Sequence, residues 1–293
     1  MNNFQGLPTN TISNSTLKLE YLVDAGPRIV RLFVPGKGNL FADITNKVTT
    51  QYGDFSFRGG HRLWHSPEAM PRTYIPDDEG VTVENIPGGV ILRGPCEEGT
   101  GIIKTIELRL SPDQAKVMLT HTLTNQGLWP IKLAPWTITM VKLGGTIIIP
   151  LQEGNRDADG LLHNRIITLW PYTHIADPRL AIQDDFITIQ ALSAPDPIKI
   201  GSFCPAGWVA YWIDDVLFKK SFDTTPEVLY PDGGCNIESY CNNNFAELEA
   251  LGPMTTLEVG KSTTFHEVWE IFPNLNVPFL SAKLKDSLMT TTN

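Results

Sequence analysis

The chain contains no run of about 18 apolar residues, so the sequence predicts no membrane-spanning helix. It has no excess of positive charge: 23 Lys and Arg face 32 Asp and Glu, a formal net charge of -9. A nucleic-acid surface needs clustered cations to displace counterions, and none is expected here. Cysteine is scarce and scattered. Cys96, Cys204, Cys235 and Cys241 fit no zinc spacing and read as reduced thiols. The opening MNNFQGLPTNTISNSTLKLEY lacks the basic start and apolar centre of a secretory signal, so a cytoplasmic location is expected. No Walker loop, dinucleotide glycine motif or nucleophile elbow occurs, and no cofactor is expected. GKGNL (36–40) lacks a strand–turn–helix context and reads as a hairpin turn.

Helical periodicity is missing as well. In its place stand short β-branched or aromatic runs punctuated by Gly, Pro, Asn and Asp. LKLEYLV (17–23), RIVRLFV (28–34), VTVENI (81–86), GVILRG (89–94) and IIKTIELRL (102–110) read as strands, as do AKVMLTHTLTN (115–125) and PIKLAPWTITMVK (130–142). FITIQAL (186–192), WVAYWID (208–214), VLFKKSF (216–222), CNIESYC (235–241), FAELEAL (245–251) and TTFHEVWEIF (263–272) continue the pattern. With 42% hydrophobic and 19% charged residues, the chain can bury a large core. The reading is all-β: large antiparallel sheets in one domain over 1–293. LKDSLMTTTN (284–293) reads as a frayed tail or a short terminal helix.

Three segments carry a resemblance. LVDAGPRIVRLFVPGKGNLF, HTLTNQGLWPIKLAPWTITMV and FAELEALGPMTTLEVGKSTTFHEVWEIF together resemble the galactose mutarotase-like, or aldose 1-epimerase-like, superfamily. GGHRLW and YPDGGCNIE are similar to a branch distinct from the galactose enzymes. The resemblance implies a β-supersandwich and a small-molecule carbohydrate partner. It also implies anomer exchange, in which a base takes the C1 hydroxyl proton and an acid protonates the ring oxygen.

On this resemblance Glu249 takes the place of the basic glutamate. Strand alternation sets Phe245, Glu247, Glu249 and Leu251 on one face, so Glu247 joins it in a polar cleft or, equally, both face solvent. The family's acid histidine has no counterpart, because Trp136 stands at its position and an indole donates a hydrogen bond without shuttling protons. His65 or His61, in GGHRLWHSPE, is the expected replacement. A metal site at these two histidines is only weakly signalled, since their spacing of four suits a helix and the segment reads as strand and turn. Arg62 resembles the arginine that holds a sugar hydroxyl, with Trp64 stacking on the ring or buried in the core. Glu68 is expected to pair with Arg62 or His65.

Two further stretches contribute candidates. Lys220 shares a face with Phe218 and Phe222, and if it points inward it needs a carboxylate partner. Asp232 opens the DGG turn, after which Asn236, Glu238, Tyr240 and Asn242 form a polar row suited to hydroxyls or to solvent. The leading expectation is an aldose 1-epimerase-like isomerase. A sugar-binding protein without catalysis is the alternative, as is a lyase or isomerase on an acidic sugar held by Lys220 and Arg62.

Overall fold

In the strand Gly60–Ser66 every residue is buried, although its sequence mixes charged, aromatic and aliphatic side chains. Such a strand must be covered on both faces, and its neighbours show how. In the computed structural model, which describes residues 2–151 and 159–275, it pairs antiparallel with Ile131–Val141 and with Arg28–Val34. Gly59 and Gly60 make that entry, with φ of +90° and +68°. A Cβ on Gly59 would lie 2.0 Å from the Ala42 carbonyl oxygen, and one on Gly60 2.2 Å from that of Ile29. Both glycines are therefore required by close backbone approach.

A 12-stranded sheet grows outward from this centre. Its main path runs Asn2–Phe4, Leu7–Ser13, Lys18–Leu22, Arg28–Val34, Gly60–Ser66, Ile131–Val141, Ala246–Leu251, Ile237–Cys241, Ile198–Ser202, Ile167–Leu169. The second sheet has 10 strands: Leu180–Ile182, Phe186–Gln190, Thr146–Pro150, Trp208–Ile213, Val216–Phe222, Ser262–Pro273, Lys116–Asn125, Ile102–Leu110, Gly89–Cys96, Thr82–Ile86. Lys47–Thr50 and Gly53–Ser56 form a separate hairpin. All described pairings are antiparallel, the all-β architecture that the turn-punctuated sequence predicts. No described helix is long and apolar enough to cross a membrane. The expected tail at 284–293 lies outside the described residues.

The main core fills the space between the two sheets. Ile29, Leu63, Ile237 and Leu248 of the first sheet meet Ile106, Leu119, Phe218 and Trp269 of the second. The other face of the first sheet carries a smaller aromatic cluster with Phe55, Trp64, Trp136 and Phe245, partly covered by the hairpin. Period-2 alternation divides the central strand between these layers. Leu63 joins the main core and Trp64 the outer cluster.

A sealed polar seam crosses the main core. Lys220, wholly buried, stands 2.9 Å from Glu267, which also accepts from the Trp269 indole at 2.9 Å and from the Thr137 hydroxyl. His61 Nε2 lies 2.8 Å from His121 Nε2, and His121 Nδ1 lies 3.2 Å from the Phe265 carbonyl oxygen. A carbonyl only accepts, so His121 carries its proton on Nδ1 and its Nε2 accepts from His61. His61 Nδ1 then accepts from Thr139 Oγ1 at 2.9 Å, and Lys220 Nζ lies 3.3 Å from that same hydroxyl. Both imidazoles are neutral in this chain. Burial holds the His61 pKa well below the usual range and that of His121 at about 4.

Lys220 is thus a core cation whose charge is matched internally. Removing one partner of a buried pair strands the other, at a cost of about 3–5 kcal/mol. Lys220→Met is expected to lower stability by about that amount in equilibrium denaturation, and a loss below about 1 kcal/mol would contradict the pairing.

Candidate functional site

Register brings the polar residues of the outer face together. Glu238 lies directly opposite Glu249, Glu249 opposite Ile138, and Ile138 opposite Arg62. In the adjoining row, Lys199 is opposite Tyr240 and Tyr240 opposite Glu247. In a third, Leu251 is opposite Trp136 and Trp136 opposite Trp64. Five strands, drawn from residues 60 to 251, thereby place two cations, three carboxylates and two indoles on one patch of sheet.

The contacts follow from this register. Lys199 Nζ stands 2.8 Å from Glu238 Oε2 and 3.0 Å from Glu249 Oε2, so one ammonium lies between two carboxylates. Trp136 Nε1 donates to the same Glu249 oxygen at 2.9 Å. The Lys199 ammonium also sits 4.9 Å from the Trp136 ring centroid and 4.7 Å from that of Trp170, where each ring face attracts a cation. Arg62 donates to Glu247 at 3.0 Å and lies over the Trp64 ring at 4.2 Å. Gly201 gives the room: a Cβ there would stand 3.2 Å from the Glu238 side chain and 3.3 Å from the Trp170 ring.

Two adjoining hollows of about 410 Å³ each open over this patch. They share Val48, Glu68, Tyr74, Trp136 and Lys199 as walls. The first is bounded further by Arg62, Trp64, Tyr172, Tyr240 and Glu247, and the second by Trp170, Asp232 and Glu238. Aromatic walls with a few convergent polar groups are the usual make-up of a small-molecule site.

Burial sets the electrostatics. It drives the Glu238 carboxyl well above the ordinary range, against the pull of Lys199 and with the help of Glu249 and Asp232. It pushes Glu247 up to about 7, outweighing Arg62. Lys199 pays the same desolvation penalty, yet Glu249 and Glu238 hold its pKa well above the usual value. Glu238 Oε1 and Glu249 Oε1 are buried without a hydrogen-bond donor among the described residues. Buried acceptors of this kind are costly unless something donates to them.

Several sequence candidates converge here: Glu249, Glu247, Glu238, Arg62, Trp64, Trp136 and Asp232 all belong to this face or its rim. His61, His65 and Lys220 do not. His61 and Lys220 lie in the seam between the sheets, and His65 faces the same interior, with Nε2 3.7 Å from Glu97. The sheet itself separates them from the hollows, which corrects their placement as acid and substrate-holding groups. Glu68 pairs with neither Arg62 nor His65 but accepts from the Tyr74 hydroxyl. Asn236 leaves the expected polar row to clamp the Cys204 backbone, donating at 3.0 Å and accepting at 2.7 Å. Sequence reading missed Lys199, Trp170 and Tyr172. The alternating IKIGS of the Lys199 strand was the available signal.

The residues that approach a metal-ligand grouping are His61, His121 and Glu267, whose ligand atoms lie within 4.8 Å of one another. Their donors and acceptors are already used within the seam, and the Lys220 ammonium beside Glu267 opposes a second cation. They do not fit a metal.

No protein-family model matches the chain, and no curated protein matches it in sequence. Solved structures match its fold. A galactose mutarotase-like protein from Lactobacillus casei superposes with a TM-score of 0.58 at 11% identity, covering 90% of this chain and 100% of the other. A candidate aldose 1-epimerase from Klebsiella pneumoniae gives 0.60 at 12% identity, covering 93% and 82%. Another from Escherichia coli K12 gives 0.54 at 13%, covering 91% and 99%. The chain therefore has the galactose mutarotase-like fold.

Glu247 provides a test of the electrostatics. Its folded pKa is raised, so the native state binds more protons than the unfolded state between about pH 4.5 and 7. Measured against Glu247→Gln, which cancels the other titrating groups, wild-type stability should fall as pH rises through that window. The steepest slope expected is about 1.4 kcal/mol per pH unit. A wild-type-minus-variant difference that is flat, or that rises with pH, would contradict the assignment.

Proposed function

We propose that the hollows hold a sugar ring and that the protein exchanges its anomers by acid–base ring opening. The observation that carries this reading is the pair of opposed, buried carboxyls, Glu238 and Glu249, each with one oxygen lacking a donor and with Lys199 between them. Glu249 is the base that takes the C1 hydroxyl proton. Glu238, kept protonated by burial, is the acid that gives its proton to the ring oxygen. As O1 becomes a carbonyl oxygen, the bond between C1 and the ring oxygen breaks and the open chain forms. Rotation about the C1–C2 bond and reversal of both proton transfers close the other anomer. One proton leaves Glu238 as another arrives on Glu249, so the pair's total charge around Lys199 never changes.

The remaining groups serve binding. Trp136, which stands at the position of the family's acid histidine, fixes Glu249 through its indole N–H. Arg62, steered by Glu247 and stacked on Trp64, presents its remaining N–H groups to sugar oxygens. The names of the structural neighbours, aldose 1-epimerase and galactose mutarotase-like, support the same class of reaction at the level of fold.

A second reading, sugar binding without turnover, is favoured by one feature. Glu249 does not itself line either hollow, and Trp136 and Lys199 already occupy one of its oxygens. Anomer exchange followed by NMR across a panel of aldoses, with binding measured separately, decides between the two. The expected result is exchange faster than buffer, falling by roughly 100-fold or more in Glu249→Gln and Glu238→Gln while binding persists. Binding without acceleration would establish the second reading, and neither binding nor acceleration would overturn both.

A further inference from the structure

The geometry points to a subsite for a cationic nitrogen in the second hollow, so that the preferred ligand is an amino sugar carrying a free ammonium. This inference rests on the carbohydrate reading above and adds to it the charge of the substrate.

Three acidic side chains line that hollow, the Glu68 and Asp232 carboxylates and the buried Glu238 carboxyl, against one ammonium, Lys199. Lys199 is itself shared with Glu249 beneath the floor, so its charge is already spent. Among the described residues, the Glu68 carboxylate accepts from the neutral Tyr74 hydroxyl, and the Asp232 carboxylate from the neutral Ser66 hydroxyl at 3.4 Å. Glu238 is wholly buried, and its Oε1 has no donor. The hollow thus combines an unmet buried acceptor with an excess of negative charge, and Trp136, Trp170 and Tyr74 supply aromatic walls.

An ammonium satisfies all three conditions at once. It donates up to three hydrogen bonds, one of which reaches Glu238 Oε1 whether or not that carboxyl holds a proton. Its charge is balanced by Asp232 and Glu68, and ring faces attract it further. An anionic sugar meets the opposite situation. Among the described residues lining the second hollow, Lys199 is the one cation, and it already lies between two carboxyls. A phosphate or uronate placed there would find no cation to spare. The expectation of an acidic sugar held jointly by Lys220 and Arg62 fails because Lys220 lies in the core, paired with Glu267.

Calorimetric titration of the full chain at neutral pH tests this directly, with glucose, glucosamine, N-acetylglucosamine and glucose 6-phosphate, and with the corresponding galactose series. In at least one series the amine should bind about tenfold or more tighter than its parent hexose, a factor set by one partly desolvated ion pair. N-acetylation, which removes the charge but keeps the sugar, should abolish that advantage, and the 6-phosphate should bind more weakly than the parent. Asp232→Asn should cut the ratio of amine to parent-hexose affinity to about twofold or less, a ratio that misfolding does not imitate. Equal affinity for amine and parent in both series, or a preference that survives Asp232→Asn, would overturn the inference and leave the carbohydrate reading standing. Absence of binding by every sugar would overturn both.

Discussion

One ammonium between two carboxylates organises the outer face of this sheet. Lys199 approaches both Glu238 and Glu249 within 3.0 Å, and the two glutamates are direct cross-strand partners. Like charges opposed on a sheet repel, and here they are also buried. Lys199 offsets one charge, and burial favours the neutral form of Glu238, which removes the other. The acid and base that we propose would follow from electrostatic neutrality in a buried site.

The same constraint explains the division of labour between the sheet's two faces. On the inner side, Lys220 and Glu267 match one to one, and the histidine chain closes on a backbone carbonyl, so that seam has no capacity left for a ligand. On the outer side, carboxyls outnumber cations and oxygens remain without donors. Both are buried polar clusters, and both lie on the central strands. What distinguishes a candidate site from a structural seam here is incomplete satisfaction together with open volume.

Much of the fold was legible in the sequence because strand segments announce themselves locally. RIVRLFV, IIKTIELRL and VLFKKSF coincide with observed strands, end to end. The face shared by Glu247 and Glu249 was legible too, from alternation alone. That same alternation sets His61 and His65 opposite Arg62 and Trp64, and so already argued against all four walling one cleft. The expectation of a histidine acid came from the family pattern and overrode it. Lys199 was hidden for a different reason. Its strand is five residues long, lies between Pro197 and Pro205, and gains its meaning only from glutamates brought beside it by long-range pairing. The alternation in IKIGS reports the strand but not that contact.

The structure of the protein with a bound monosaccharide tests the central claim most directly. The account predicts sugar oxygens, or an amino nitrogen, within hydrogen-bond distance of Glu238 Oε1, with the ring against Trp136. A sugar seated elsewhere on the molecule, with the Glu238–Lys199–Glu249 group untouched, would contradict it.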